Sequence, residues 1–283
     1  MRVLIAGSRG MLGTELVHSF GLRHQVTGVD IEELDITSES RSRAQIEAIR
    51  PELIINAAAL TQVDYCESHQ ENAFRVNADG AGNLAAAAAA VGASLVHYST
   101  DYVFDGRREE AYSEEDAPCP LSIYGKSKLR GEQLVRERCA DPIIVRTSWL
   151  FGRHGTNFIR TILSAARKGL PLRVVRDQRG SPTYAADLAA HTVLMVEAGC
   201  SGTYHVTNGG FCTWYDLAVT AIELAGLSGI GITPVSTSEF PRPAPRPANS
   251  VLANARLIRE GLPRMRPWEE AVRDYLNQMA GGK

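Results

Sequence analysis

The chain has little that would tie it to a polymer, a membrane or an oxidising compartment. Its 30 basic residues are matched by 32 acidic ones, for a formal net charge of −2. No global basic field therefore points to nucleic acid or to an anionic membrane surface. Cysteine is scarce and odd in number, five in all at positions 66, 119, 139, 200 and 212, with no CxxC pair. That pattern argues against a disulfide framework and against a zinc site, and it fits a reducing cytoplasm. Long apolar runs are missing too. "MRVLIAG" is too short for the hydrophobic core of a signal peptide, and "NLAAAAAAVGASLVHY" is broken by Gly92 into the end of a helix and a strand. No internal repeat is present, and no membrane or nucleic-acid partner is expected.

What the chain does have is rhythm. Apolar, β-branched runs recur at 2–6, 25–29, 53–56, 94–99 and 143–148, separated by helix-length stretches. Strands that are apolar throughout, alternating with helices, imply a parallel sheet covered on both faces, an α/β doubly wound, Rossmann-like fold. The pattern predicts helices over 11–20, 39–50, 70–91, 121–138, 157–169, 185–199, 213–226 and 267–280. Beyond residue 150 the alternation loosens, and "PRPAPRP" at 241–247 reads as stiff, extended chain. The expected organisation is a dinucleotide-binding domain over 1–150, with 177–206 returning to it, and a smaller substrate-binding lobe drawn mainly from 151–283.

The first strand runs into "GSRGMLG", with glycines at 7, 10 and 13 opening a helix. Glycine lets the backbone turn sharply and approach a pyrophosphate, whose charge meets free N–H groups at the helix N-terminus. Asp30 ends the second strand about twenty residues on, where a carboxylate can bind the adenosine ribose hydroxyls. Arg9, inside the turn, could instead face a 2′-phosphate. The two signals oppose each other, and the cofactor is left as NADPH or NADH. Asp35, Ile36 and the small residues Ala58 and Ala59 follow strands whose carboxyl ends form the ligand crevice of such a sheet.

Tyr124 and Lys128 in "YGKSK" are one helical turn apart and share a face. A phenol titrates near ~10, and a neighbouring ammonium favours the phenolate, tuning Tyr as an acid or base. Thr100, at the carboxyl end of a central strand, can hydrogen-bond a substrate carbonyl oxygen. Hydride delivered from a nicotinamide puts negative charge on that oxygen, and a positioned acid neutralises it. The three residues together point to carbonyl reduction.

With these residues in place the chain resembles the extended short-chain dehydrogenase/reductases. More narrowly it is similar to the dTDP-4-dehydrorhamnose reductases, through "INAAALTQVDYCE", "VHYSTDYVFDG", "YGKSKLRGE", "RTSWLFG", "DQRGSPTYAADLA", "YHVTNGG" with "TWYDLA", and "RPANSVL". The resemblance spans the chain from end to end. It implies reduction of the 4-keto group of dTDP-4-dehydro-L-rhamnose to dTDP-L-rhamnose by NAD(P)H. Tyr124 would be the proton donor, Lys128 its pKa-lowering partner and ribose ligand, and Thr100 the carbonyl hydrogen-bonder. Thr100 and Asp101 would meet the sugar, Trp149 would stack over it, and Arg246 would clamp the diphosphate. Gly10, Met11, Leu12, Asp30, Asp35, Ile36, Ala59, Leu60, Thr61 and Tyr98 would line the cofactor.

Some relatives form metal-bridged dimers on glutamates. Glu15 matches one of these, but Ala186 stands where the second would be, so no metal is expected and a homodimer is left open. A dehydratase would need Glu after Thr-Asp, and here Thr100-Asp101 is followed by Tyr102. A 4-ketoreductase of another stereochemistry, an epimerase, and a non-catalytic subunit on the same scaffold are the remaining alternatives.

Overall fold

The computed structural model describes residues 1–227 and 229–281. Six parallel strands form the central sheet: β1 (Arg2–Ala6), β2 (Gln25–Val29), β3 (Leu53–Asn56), β4 (Ser94–Thr100), β5 (Ile143–Thr147) and β6 (Gly202–His205). Their spatial order is β2-β1-β3-β4-β5-β6. β3, β4 and β5 are buried along almost their whole length because helices cover both faces, which is why they read as unbroken apolar runs. β2, at the edge, is largely exposed and correspondingly less apolar.

On one face lie helices α1 (Met11–Gly21) and, later in the chain, Ala185–Glu197. Leu16 and Phe20 pack there with Leu188, Ala189 and Met195 against Val3, Ile5 and Val145. On the other face lie α2 (Glu39–Ile49), α3 (Gly80–Val91) and α4 (Ile123–Arg138). The alanine run forms the middle helix of this layer. Ala81, Ala85 and Ala88 are buried with Ile46 on one side and Val135 on the other. Small side chains let α3 pack closely between two neighbours, so the low-complexity patch is core.

The expected single helix over 70–91 is divided. Gln70–Phe74 is α-helical, Arg75–Asp79 is one π-helical turn, and α3 follows. A short helix at Val63–Ser68, which the apolar pattern does not announce, precedes them. Helix α5 (Phe158–Arg167), α6 (the Ala185–Glu197 helix), α7 (Trp214–Leu224) and α8 (Trp268–Gly281) complete the main elements. A third core joins α5, α7 and α8 through Ile159, Leu163, Leu217, Ala221, Val272 and Tyr275. Residues 241–247 carry no helix or strand, as their prolines require. Among the described residues no helix is long and apolar enough to cross a membrane.

The chain runs outward from β1 to β2 on one side and from β1 through β3 to β6 on the other. The reversal leaves a crevice beyond the carboxyl ends of β1 and β3, the place where doubly wound sheets take ligands. Every residue singled out above for chemistry on a strand lies at that end.

Candidate active site

The glycine turn is built by steric necessity. Gly7 has φ +77°, and a Cβ there would sit 2.6 Å from the Ala58 backbone nitrogen. A Cβ on Gly13 would lie 1.9 Å from the Gly7 carbonyl oxygen. The first and third glycines therefore let α1 start hard against β1. Gly10 caps α1 without a side chain, so the first-turn N–H groups stay open to an anion. This cradle, which any side chain would fill, fits a pyrophosphate.

Beside it lies a cavity of about 420 Å³ lined by Gly7, Arg9, Gly10, Asp30, Asp35, Ile36, Ala58 and Ala59. Asp35 is held below its ordinary value, chiefly by hydrogen bonds from Thr37. A second cavity, about 460 Å³, shares Gly10 and Ala57–Ala59 with the first. Met11, Leu12, Gly13, Thr61 and Tyr98 line it, together with Thr100, Asp101, Tyr124, Lys128 and Trp149. Thr100 and the Tyr124–Lys128 pair of the expected catalytic set, on a strand and a helix, thus meet in one chamber beside the glycine turn. Leu60 lines neither cavity. Its backbone N–H and carbonyl both bond Asn77, at 2.8 and 3.0 Å, and its side chain packs near Cys66.

Helix α4 begins at Ser122, whose hydroxyl accepts the Gly125 N–H at 3.1 Å. That cap puts Tyr124 in the first turn and Lys128 one turn deeper, both buried. Burial pushes the Tyr124 phenol well above its ordinary value. The Thr100 hydroxyl acts the other way as its hydrogen-bonding neighbour, while Asp101 and Tyr102 add to the rise. The Lys128 ammonium donates to the Tyr98 carbonyl at 2.6 Å. A phenol that keeps its proton at neutral pH suits a donor.

Burial lowers Lys128 to about 8, opposed by the Glu132 carboxylate. Burial alone would raise Glu132, but Arg146 at 2.8 Å, Ser99 at 2.6 Å and Arg136 at 2.9 Å bring it down to about 2. Asp101 is pushed up to about 6 by burial. Thr100 donates to its Oδ1 at 3.0 Å, and its Oδ2 is buried with no partner among the described residues.

Sequence reasoning missed several groups that hold this arrangement. Asn77, in the π turn, bonds both Leu60 and the Ser127 hydroxyl (3.0 Å), tying the 57–61 loop to the helix that carries Tyr124. Asn56 does the same for Ala58 and His97. Neither is announced by any local pattern.

Trp149 follows β5 with φ +46°. Its ring stacks on Trp214 at 3.6 Å and 8°, and its edge lies on Gly180, where a Cβ would come within 2.3 Å. Trp214, visible in sequence only as part of "TWYDLA", shares the wall between this chamber and a third cavity of about 610 Å³. Arg173, Arg242 and Arg246 line the third cavity. Arg246 donates to Asp64 at 2.5 Å, and the Ala244 N–H bonds the same carboxylate at 3.1 Å. The Val63–Ser68 helix thereby fastens the proline-rich segment, and both contribute to the cavity's lining. Glu15, buried in α1, pairs with Arg153 at 3.1 Å. Among the described residues no cluster of three or more His, Cys, Asp or Glu is arranged to hold a metal.

Comparison with known proteins agrees with this geometry. A family model described as the RmlD substrate binding domain matches residues 1–280. A dTDP-4-dehydrorhamnose reductase of Burkholderia thailandensis is 39% identical, over 98% of this chain and 100% of its own length. A dTDP-4-keto-6-deoxy-D-glucose reductase of Streptomyces niveus is 39% identical, over 96% of this chain and 95% of its own. The crystal structure of dTDP-4-dehydrorhamnose reductase from Bacillus anthracis in complex with NADP superposes with a TM-score of 0.96 at 40% identity, covering 98% of this chain and 99% of that one. The chain belongs to the RmlD substrate binding domain family, that of the dTDP-4-dehydrorhamnose reductases.

Proposed function

We propose that this protein reduces the 4-keto group of dTDP-4-dehydro-L-rhamnose to give dTDP-L-rhamnose, consuming NADPH or NADH. One observation carries the reading. Tyr124, Thr100 and Lys128 line a chamber that shares walls with the glycine-turn cavity on one side and the arginine-lined cavity on the other. The first neighbour suits the adenosine and pyrophosphate of a dinucleotide, the second the diphosphate of a sugar nucleotide.

Bound in the chamber, the reduced nicotinamide supplies the hydride. The Thr100 hydroxyl and the Tyr124 phenol then converge on the carbonyl oxygen, and the phenol gives its proton to the oxygen as charge develops there. Burial keeps that proton in place until the alkoxide forms. Lys128, as an ammonium, supports the ribose side and offsets charge that develops in the chamber. In the free site the Thr100 hydroxyl gives its one proton to Asp101 Oδ1, so it would turn from that carboxylate to donate to the carbonyl oxygen. Trp149, locked by Trp214 and Gly180, offers an aromatic wall to the sugar. Arg246 and Arg242 would exchange Asp64 for diphosphate oxygens. Five thiols without a disulfide support the cytoplasm as its compartment.

The test is loss of absorbance at the reduced-nicotinamide band on adding dTDP-4-dehydro-L-rhamnose, with the product resolved from its C4 epimer. Oxidation with dTDP-L-rhamnose as product is expected. No oxidation with either cofactor would sink the proposal. Exclusive formation of the epimer would favour the second reading, a related sugar-nucleotide 4-ketoreductase, and the Streptomyces niveus relative is named as a reductase of another 4-keto sugar nucleotide.

A further inference from the structure

The arginine-lined cavity already holds an anion, and it belongs to the protein. Among the described residues that line this cavity Asp64 is the only carboxylate, against the guanidinia of Arg173, Arg242 and Arg246. Its Oδ1 accepts Arg246 Nη1 at 2.5 Å and the Ala244 backbone N–H at 3.1 Å, and Arg242 Nη1 stands 3.9 Å from Oδ2. A backbone amide flanked by guanidinia is the donor set that phosphate oxygens take. The Asp64 side chain is 32% exposed, so it has room to turn outward. The helix that carries it is fastened by other residues. Glu67 accepts the Ile123 N–H at 2.8 Å, and the Cys66 thiol faces the Leu60 carbonyl at 3.9 Å. Arg246 keeps a tie of its own, from Nη1 to the Ala244 carbonyl at 2.7 Å. The carboxylate can therefore leave while both its helix and its cation stay in place.

We infer that Asp64 is a specificity-determining residue of the nucleotide-sugar site, an internal stand-in for phosphate that the ligand's diphosphate displaces on entry and that refills the site on release. The inference rests on the reductase reading above. A partly exposed ion pair is weak, so a diphosphate, with more charge and more acceptor oxygens, wins the exchange. The margin is narrow for two reasons. Each bond the ligand gains to Arg246 or to the Ala244 N–H is one taken from Asp64. The displaced carboxylate also stays near the phosphates, and like charges so placed oppose binding. Asp64 thus holds affinity for the diphosphate down and shortens its stay, which suits an enzyme whose product carries the same diphosphate as its substrate. A nucleoside without phosphate makes no claim on the arginines and leaves Asp64 where it is.

The experiment is titration of the full chain with dTDP by calorimetry, with dissociation followed by stopped-flow tryptophan fluorescence, since Trp214 lines the same cavity. Asp64→Asn is nearly isosteric and keeps an oxygen for the Ala244 N–H. In that variant dTDP should bind about 10-fold more tightly, chiefly through slower dissociation. Thymidine, measured by competition, should gain less than about twofold, because it carries no charge for Asp64 to oppose. NADPH affinity, changed less than about threefold, reports that the rest of the site is folded. Asp64→Ala should reproduce the gain with a different side chain, and adding Arg246→Ala to Asp64→Asn should cancel it. In about 0.5 M salt the gain should narrow. Unchanged dTDP affinity in both neutral variants overturns the inference and leaves the reductase intact. Weaker binding in them overturns it too, and makes Asp64 the residue that orients Arg246. Failure of the wild-type chain to bind dTDP overturns the reductase reading itself.

Discussion

Raising the pH should switch this enzyme off through Lys128 before it touches the phenol. Lys128 is only 3% exposed, and burial brings its ammonium from 10.5 down to about 8. That fall corresponds to roughly 3 kcal/mol against the charged form. The ribose contact proposed for Lys128 needs the ammonium, so activity is expected below about 8 and should be lost as the pH rises through it. Between pH 7 and pH 9 the protonated fraction drops from about nine-tenths to about one-tenth, and kcat/KM for the reduced cofactor should fall about tenfold. That parameter is the right one, since it reports ionisations of the free enzyme. Unfolding through the same group does not mimic the loss. A lysine whose folded pKa is depressed contributes stability at high pH, and that contribution disappears as the pH falls toward about 8. The Glu132 carboxylate opposes the effect of burial, so Glu132→Gln should move the basic limb to lower pH still. A limb at pH 10 or above in the wild-type enzyme, or one that Glu132→Gln leaves in place, would refute this account of Lys128.

Tyr124→Phe keeps the buried ring and removes the acid. Turnover should fall at least ~10²-fold with cofactor affinity little changed, measured by steady-state kinetics and fluorescence titration. In Gly180→Ala the new Cβ would come within 2.3 Å of an indole pinned on its far side by Trp214. The overpacking should cost about 1–3 kcal/mol in urea unfolding and raise KM for the nucleotide sugar as Trp149 is displaced. Arg246→Ala removes the side chain that bridges Asp64 and faces Tyr102. KM for the nucleotide sugar should rise about tenfold or more with kcat nearly unchanged, and a kcat loss of the same size would place Arg246 in the chemistry instead.

The doubly wound architecture was legible because burial on both faces leaves a mark on each strand: "LIIN" and "IIVRT" have no polar alternation to explain away. The glycine turn was equally legible, since Gly7 and Gly13 answer to contacts that no side chain permits. The short Val63–Ser68 helix and the π turn at Arg75–Asp79 were not. Neither has a periodicity of its own: the π turn is tied through its Asn77 to Leu60 and Ser127, and the short helix through Asp64 to Ala244 and Arg246. Trp214 could be read only as a letter in a motif, because its importance is its distance from Trp149.

By itself the order of residues determined the fold class and the dinucleotide cradle, because those follow from local sterics and from patterns of burial, and its motifs singled out the side chains proposed to react. Tertiary structure alone decided how the groups act on one another. Lys128 reaches the Tyr98 carbonyl, and Arg9 is claimed by Glu32 and Glu33. Charge interactions depend on separation and on the surrounding dielectric, and neither is written along a chain.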